Sequence, residues 1–204
     1  MPNLYEALTW TIDEPQRPRE YVFHDGGELL ANVTRVPVRR QDDASVPYAN
    51  PHAQYDETRV VLCVAGPDQT PYFYVDRTND PMRPQPAHVV APNGGHIGSV
   101  AVSTGGVKGV FKLMSGKQGG RYALLDAHGS QTALLTAPGL RNPHEEGTFT
   151  GPGGDQIATY QTGLSTYGDR RRRHTVRLLH PLPEPQRTLV LASLIGVELM
   201  IPAG

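Results

Sequence analysis

The last apolar stretch, Thr188 to Ile201 (TLVLASLIGVELMI), limits what this chain can fold into more than any other segment. Its fourteen residues carry one charge, Glu198, and show no polar face at a helical or a strand period. A helix that is apolar all round has to be buried on every side. At about 1.5 Å per residue it spans roughly 21 Å, short of the ~30 Å hydrocarbon core of a bilayer. The expectation is a helix over 186–201 inside the protein, wrapped by the strands that precede it. Pro183 and Pro185 suit the start of such a helix. A buried strand pair turning at Gly196 is the competing reading, since five of the fourteen residues are β-branched. Glu198 buried without a partner would be costly, so it is expected at an open end or against an arginine.

Upstream, one short pattern recurs. Tyr21 to Thr34 reads YVFHDGGELLANVT, an apolar strand, a turn at Asp25-Gly26-Gly27 and a second strand. Ala87 to Ser103 repeats it around Asn93-Gly94-Gly95, Arg121 to Ala137 around Asp126 to Gly129, and Thr148 to Thr162 around Gly153-Gly154-Asp155. Gly and Asn tolerate the positive φ that tight hairpin turns demand. Leu29, Ala31 and Val33 alternate onto one face, and Ile97 and Val100 do so less cleanly. Further strands are expected at Tyr5 to Ile12, Arg59 to Ala65, Pro71 to Asp76, Val107 to Met114 and Arg172 to His180. The sum is about a dozen strands, which fits a mainly β, antiparallel barrel around the C-terminal helix. All 204 residues fit one domain. Residues 1–20 form an N-terminal arm, and two polar excursions interrupt the barrel, a long loop over 36–57 and a shorter one over 138–147.

Composition narrows function mainly by exclusion. The formal charge of −1 gives no global field toward nucleic acid or membrane. MPNLYEALTW shows neither a basic n-region nor a long apolar core, so no secretory signal is expected and a cytoplasmic setting is the default. Cys63, the single cysteine, lies in the apolar run VVLCVAG and reads as a small buried hydrophobe. Asn32-Val33-Thr34 fits a glycosylation sequon, without meaning in that setting.

The hairpins with D-x-G or N-G-G turns, the strand Gly95-His96-Ile97-Gly98-Ser99-Val100 and the apolar C-terminal helix together resemble the Tubby C-terminal-like superfamily, which includes phospholipid scramblases and LURP-one-related proteins. The resemblance covers about Tyr21 to Ile201 and implies a twelve-stranded barrel wound around a hydrophobic helix. It also implies a lean toward anionic lipid, with peripheral membrane association as its extension. The scramblases' cysteine cluster and acidic calcium-binding stretch have no counterpart here, and no residue-by-residue match to the phosphoinositide site of Tubby proteins is found.

Asp169 to His180 (DRRRRHTVRLLH) is the densest charge cluster in the chain. On a strand, Arg171, Arg173, Thr175 and Arg177 share one face, and Arg170, Arg172 and His174 the other. Guanidinium forks match phosphate oxygens bidentately, so these arginines are candidates for an anionic headgroup or another phosphorylated ligand. Lys108 and Lys112, with Lys117 and Arg121, form a second basic patch that could extend the same surface. The plainer reading, a strand edge kept soluble by charge, stands beside it. Few aromatic residues interleave with the arginines, which argues against nucleic acid.

His24, His96 and His128 sit at hairpin turns near Asp25 and Asp126, without the short ligand spacing of a metal motif. No G-x-S-x-G elbow is present, and Gly116-Lys117-Gln118 lacks the rest of a phosphate loop. Tyr72-Phe73-Tyr74 reads as barrel wall and core. The expectation is therefore a non-enzymatic binding or adaptor module without cofactor, metal or transmembrane segment. The alternatives are a protein–protein module using the 36–57 loop and an enzyme built on the rim histidines.

Overall fold

The computed structural model describes residues 3–13, 20–36, 59–78, 85–103, 120–137, 146–164 and 172–200. Twelve strands are β1 (Thr9–Asp13), β2 (Tyr21–Asp25), β3 (Glu28–Val36), β4 (Arg59–Ala65), β5 (Pro71–Thr78), β6 (Ala87–Val90), β7 (His96–Val102), β8 (Gly120–Asp126), β9 (Gln131–Ala137), β10 (Glu146–Thr150), β11 (Gln156–Leu164) and β12 (Arg172–Leu178). Each pairs antiparallel with its neighbours in sequence, and β1 pairs with β12 to close the ring. The helix α1 (Gln186–Met200) follows β12. The strand expected at Val107 to Met114 lies outside the described residues. The first strand begins at Thr9 rather than Tyr5, because residues 4–6 form a turn in which Glu6 N and Ala7 N donate to Asn3 O.

Alternation decides which side chains fill the barrel. Trp10 and Ile12 of β1, Phe23 of β2, Leu62 and Val64 of β4, and Tyr160 of β11 are all buried. Inside the ring, α1 buries thirteen of its fifteen residues, leaving only Gln186 and Glu198 partly exposed. The apolar tail thus runs as a helix through the lumen, and the strand-pair alternative is excluded. Glu184 caps its start, its carboxylate accepting from Thr188 N (3.3 Å) and Thr188 Oγ1 (2.7 Å).

The helix lies off the barrel axis, nearest β5 to β9. Small residues permit that approach: a Cβ on Gly196 would sit 3.3 Å from the Cβ atoms of Ala87 and Val100. On the far side Trp10, Phe23, Phe149 and Tyr160 take up the remaining width, with Phe149 and Tyr160 meeting edge to face at 6.3 Å. Within the lumen, burial pushes the Tyr122 hydroxyl up to about 12.

The two ends of the barrel differ. Five hairpins turn at one end through two to five residues, and each carries a register shift close to its turn. Gly26 and Gly27 (φ +56° and +102°) show why the tightest of these turns needs glycine. Bulges add local twist and bend at this turn end, where Leu4 of the N-terminal turn is fully buried. The six longer strand-to-strand connections, seven to twenty-two residues each, lie at the opposite end, the link end, which is also where α1 finishes.

Candidate functional site

Strand β12 carries the predicted arginine face. His174, Val176 and Leu178 point into the lumen, while Arg173 and Thr175 are half-buried on the outer wall and Arg177 is exposed there. Arg172 opens the strand opposite Leu164. Arg170, Arg171, Lys108 and Lys112 lie outside the described residues. The structure separates two of the candidates: Arg173 stands at the link end and Arg177 at the turn end opposite Thr9, four residues and about 13 Å along the strand.

Arg173 is already engaged. Its Nε and Nη2 donate to Asp13 Oδ1 and Oδ2 at 2.7 and 2.6 Å, a bidentate fork across the β1–β12 pair. Asp13 is 1% exposed, whereas the Arg173 side chain retains 30% exposure. Two shallow depressions flank the guanidinium. One, about 370 Å³, is bordered by Thr11, Asp13, His24, Gly26 and Gly27, and the other, about 200 Å³, by Gln161, Thr162, Gly163 and Thr175. The Asp13–Arg173 contact spans 160 residues, and nothing local in the sequence indicates it.

A second polar cluster sits just inside the link end. Tyr21 OH donates to Glu198 Oε2 (3.1 Å), Glu198 Oε1 meets His174 Nε2 (2.9 Å), and His174 Nδ1 lies 3.2 Å from Thr162 Oγ1. Glu198 was expected at an open end or against an arginine. It lies just inside the link end, with a histidine and a tyrosine among its partners. Such partners matter because a carboxylate in the last turn of a helix opposes the helix dipole, and α1 has no basic residue there. The order Glu198, His174, Thr162 matches the residue types of a nucleophile triad. Thr162, however, is 6% exposed and its hydroxyl is turned into the lumen toward His174, away from the outer depression. The cluster therefore works as a latch that ties the end of α1 to β2, β11 and β12. We expect Glu198→Leu to cost about 2–3 kcal/mol in urea unfolding and Thr162→Val about 1 kcal/mol, because the former removes charged acceptors from two donors. A negligible loss in Glu198→Leu would count against the latch.

Other candidates are placed as follows. Cys63 is not buried: it lies half-exposed on the outer wall opposite Tyr74, since the alternation of β4 turns Leu62 and Val64 inward instead. Partial burial nonetheless pushes its thiol up, away from thiolate chemistry. Phe73 faces the core, and Tyr72 and Tyr74 lie on the wall. His24, His96 and His128 all occupy the turn end, yet no three potential metal ligands come together among the described residues. His96 instead contacts His88, ring centres 5.5 Å apart. Arg121 is exposed at the start of β8. No helix among the described residues is long and apolar enough to cross a membrane. Neither protein-family models, curated proteins nor solved structures yielded a match to the chain.

Proposed function

We propose that this protein is a non-catalytic binding module that meets an anionic, phosphate-bearing ligand, foremost an acidic lipid headgroup, at the link end of its barrel. The carrying observation is the division of the two ends. Short turns pair the strands at one rim, the lumen is occupied by α1, and every long connection between strands departs from the other rim. Surfaces for recognition are built on long connections held by a rigid scaffold. The resemblance to the Tubby C-terminal-like superfamily points the same way.

Charge supports the orientation. The turn end bears Glu6, Asp25, Glu28, Asp68, Asp126, Asp155 and Glu184 against Arg177 and Arg187, a net of −5. Since the whole chain carries −1, the remainder carries +4. A negatively charged surface repels the turn end and admits the rest.

Flotation with neutral vesicles and with vesicles containing phosphatidylserine or phosphoinositide tests the reading. Arg173 is a poor residue to replace, because its loss strands the buried Asp13 carboxylate. The informative variant is Arg170→Ala with Arg171→Ala. At about 1 kcal/mol per arginine near an acidic surface, it should weaken recovery on anionic vesicles roughly thirtyfold. Equal recovery on neutral and anionic vesicles, or an unchanged double variant, would sink the proposal.

A further inference from the structure

The first turn of α1 buries a cation that has no counter-charge in contact. Arg187 is 3% exposed, and its Nη2 donates to the carbonyls of Leu4 (2.9 Å) and Ala7. Its guanidinium carbon lies 5.1 Å from the centre of the Trp10 ring. Carbonyls and an indole face solvate this charge without neutralising it. Glu184 is near enough to favour the cation electrostatically. No ion pair joins the two, however, and the Glu184 carboxylate already accepts from Thr188 N and Oγ1.

Two donors on these neighbouring side chains have no acceptor: Arg187 Nε and Trp10 Nε1 are both buried and both unpaired. Each such donor costs about 1–3 kcal/mol if left bare. They belong to adjacent side chains, one of them in the first turn of a fifteen-residue helix, where the helix dipole is positive.

We propose that a small monovalent anion of the halide class is bound at the edge of the Trp10–Arg187 pair, accepting from Trp10 Nε1 and Arg187 Nε. One ion then answers both bare donors and the uncompensated guanidinium. A water molecule would answer the donors alone, and would need two further acceptors for its own hydrogens. The anion fastens β1 to the start of the helix, and Arg187 carries that tie on to the carbonyls of Leu4 and Ala7.

Thermal unfolding of the full chain, with bromide exchanged for gluconate at constant ionic strength, is the test. The Tm should climb by about 3–5 °C for each tenfold rise in bromide above the dissociation constant. Trp10→Phe keeps an aromatic face for the guanidinium and removes one donor, and Arg187→Met removes the cation. Both should flatten the bromide slope whatever their own Tm. If Arg187→Met does not fold, Trp10→Phe decides alone. Crystals of the wild-type protein grown in bromide should show an anomalous peak in contact with both nitrogens. A slope unchanged in Trp10→Phe, or a crystal site holding water or nothing, overturns the assignment.

Discussion

A chain ending at Pro185 should fail to fold. Such a truncation leaves all twelve strands in the sequence and removes only α1 and the four residues after it. The helix supplies eight buried aliphatic side chains: Leu189, Val190, Leu191, Leu194, Ile195, Val197, Leu199 and Met200. At about 1.5–3 kcal/mol each, their burial is worth roughly 12–24 kcal/mol, against a typical net stability of about 5–15 kcal/mol. Lost with them are the contacts that close the two ends, Tyr5 with Thr188, Arg187 with the carbonyls of Leu4 and Ala7, and Glu198 with Tyr21 and His174. The truncated chain should bind a hydrophobic dye, lack near-ultraviolet dichroism and show no cooperative thermal transition. Leu191→Ala gives the graded version, a loss of about 2–5 kcal/mol with the fold retained. A truncated protein that melts cooperatively with native near-ultraviolet signal would mean that the strands hold an empty cylinder by themselves.

This dependence explains why so much of the architecture was legible beforehand. A segment with no polar face can satisfy itself in few ways, and the Gly-containing turns mark the hairpins that enclose it. Arg59–Ala65 forms the expected strand over the expected residues, and α1 starts at Gln186 as anticipated. Facing within strands was harder to read. Leu29 was expected to share a face with Ala31 and Val33, but the bulge between Phe23 and His24 shifts the register, so that Leu30 is buried and Leu29 only partly so. A bulge is one extra residue whose position depends on the partner strand, and the partner is invisible in a local pattern. Cys63 escaped for a related reason: an unbroken apolar run hides which half of it faces outward.

The polar contacts were the least legible. Asp13 and Arg173 are 160 residues apart, and Tyr21 and Glu198 are 177 apart. Barrel closure brings the first pair together, and threading of the helix the second. The charge run on β12 was visible from composition, but its division into an ion-paired arginine at one rim and an exposed one at the other follows from strand length and direction. That division bears on function. An outward patch spanning the whole strand would bind a ligand on the barrel wall, whereas the proposed ligand is met end-on, at the rim where Arg173 stands.

Gly98→Val should be the most damaging single substitution in the wall. A Cβ built at Gly98 would stand 2.1 Å from the carbonyl oxygen of Leu125 and 3.0 Å from Leu189 Cδ2. The first neighbour is backbone of β8, beside the bulge between Leu124 and Leu125, and cannot rotate away. The second belongs to the first turns of α1, so any outward shift of β7 also opens the gap between wall and helix. Moving either one disturbs pairs that continue around a closed ring with no free edge to absorb the change. Overpacking in a tight core commonly costs about 1–3 kcal/mol when side chains can adjust. Here the obstacle is a carbonyl, so a loss above about 4 kcal/mol is expected, in the range set by a few severe mechanisms. Gly163→Ala is the matching control, since a Cβ there meets nothing within 4 Å, and its midpoint in urea should stay close to wild type. If Gly98→Val unfolds within about 1 kcal/mol of the wild-type protein, the close approach of β7 to the Leu125 carbonyl of β8, with Leu189 of α1 packed beside it, is wrong.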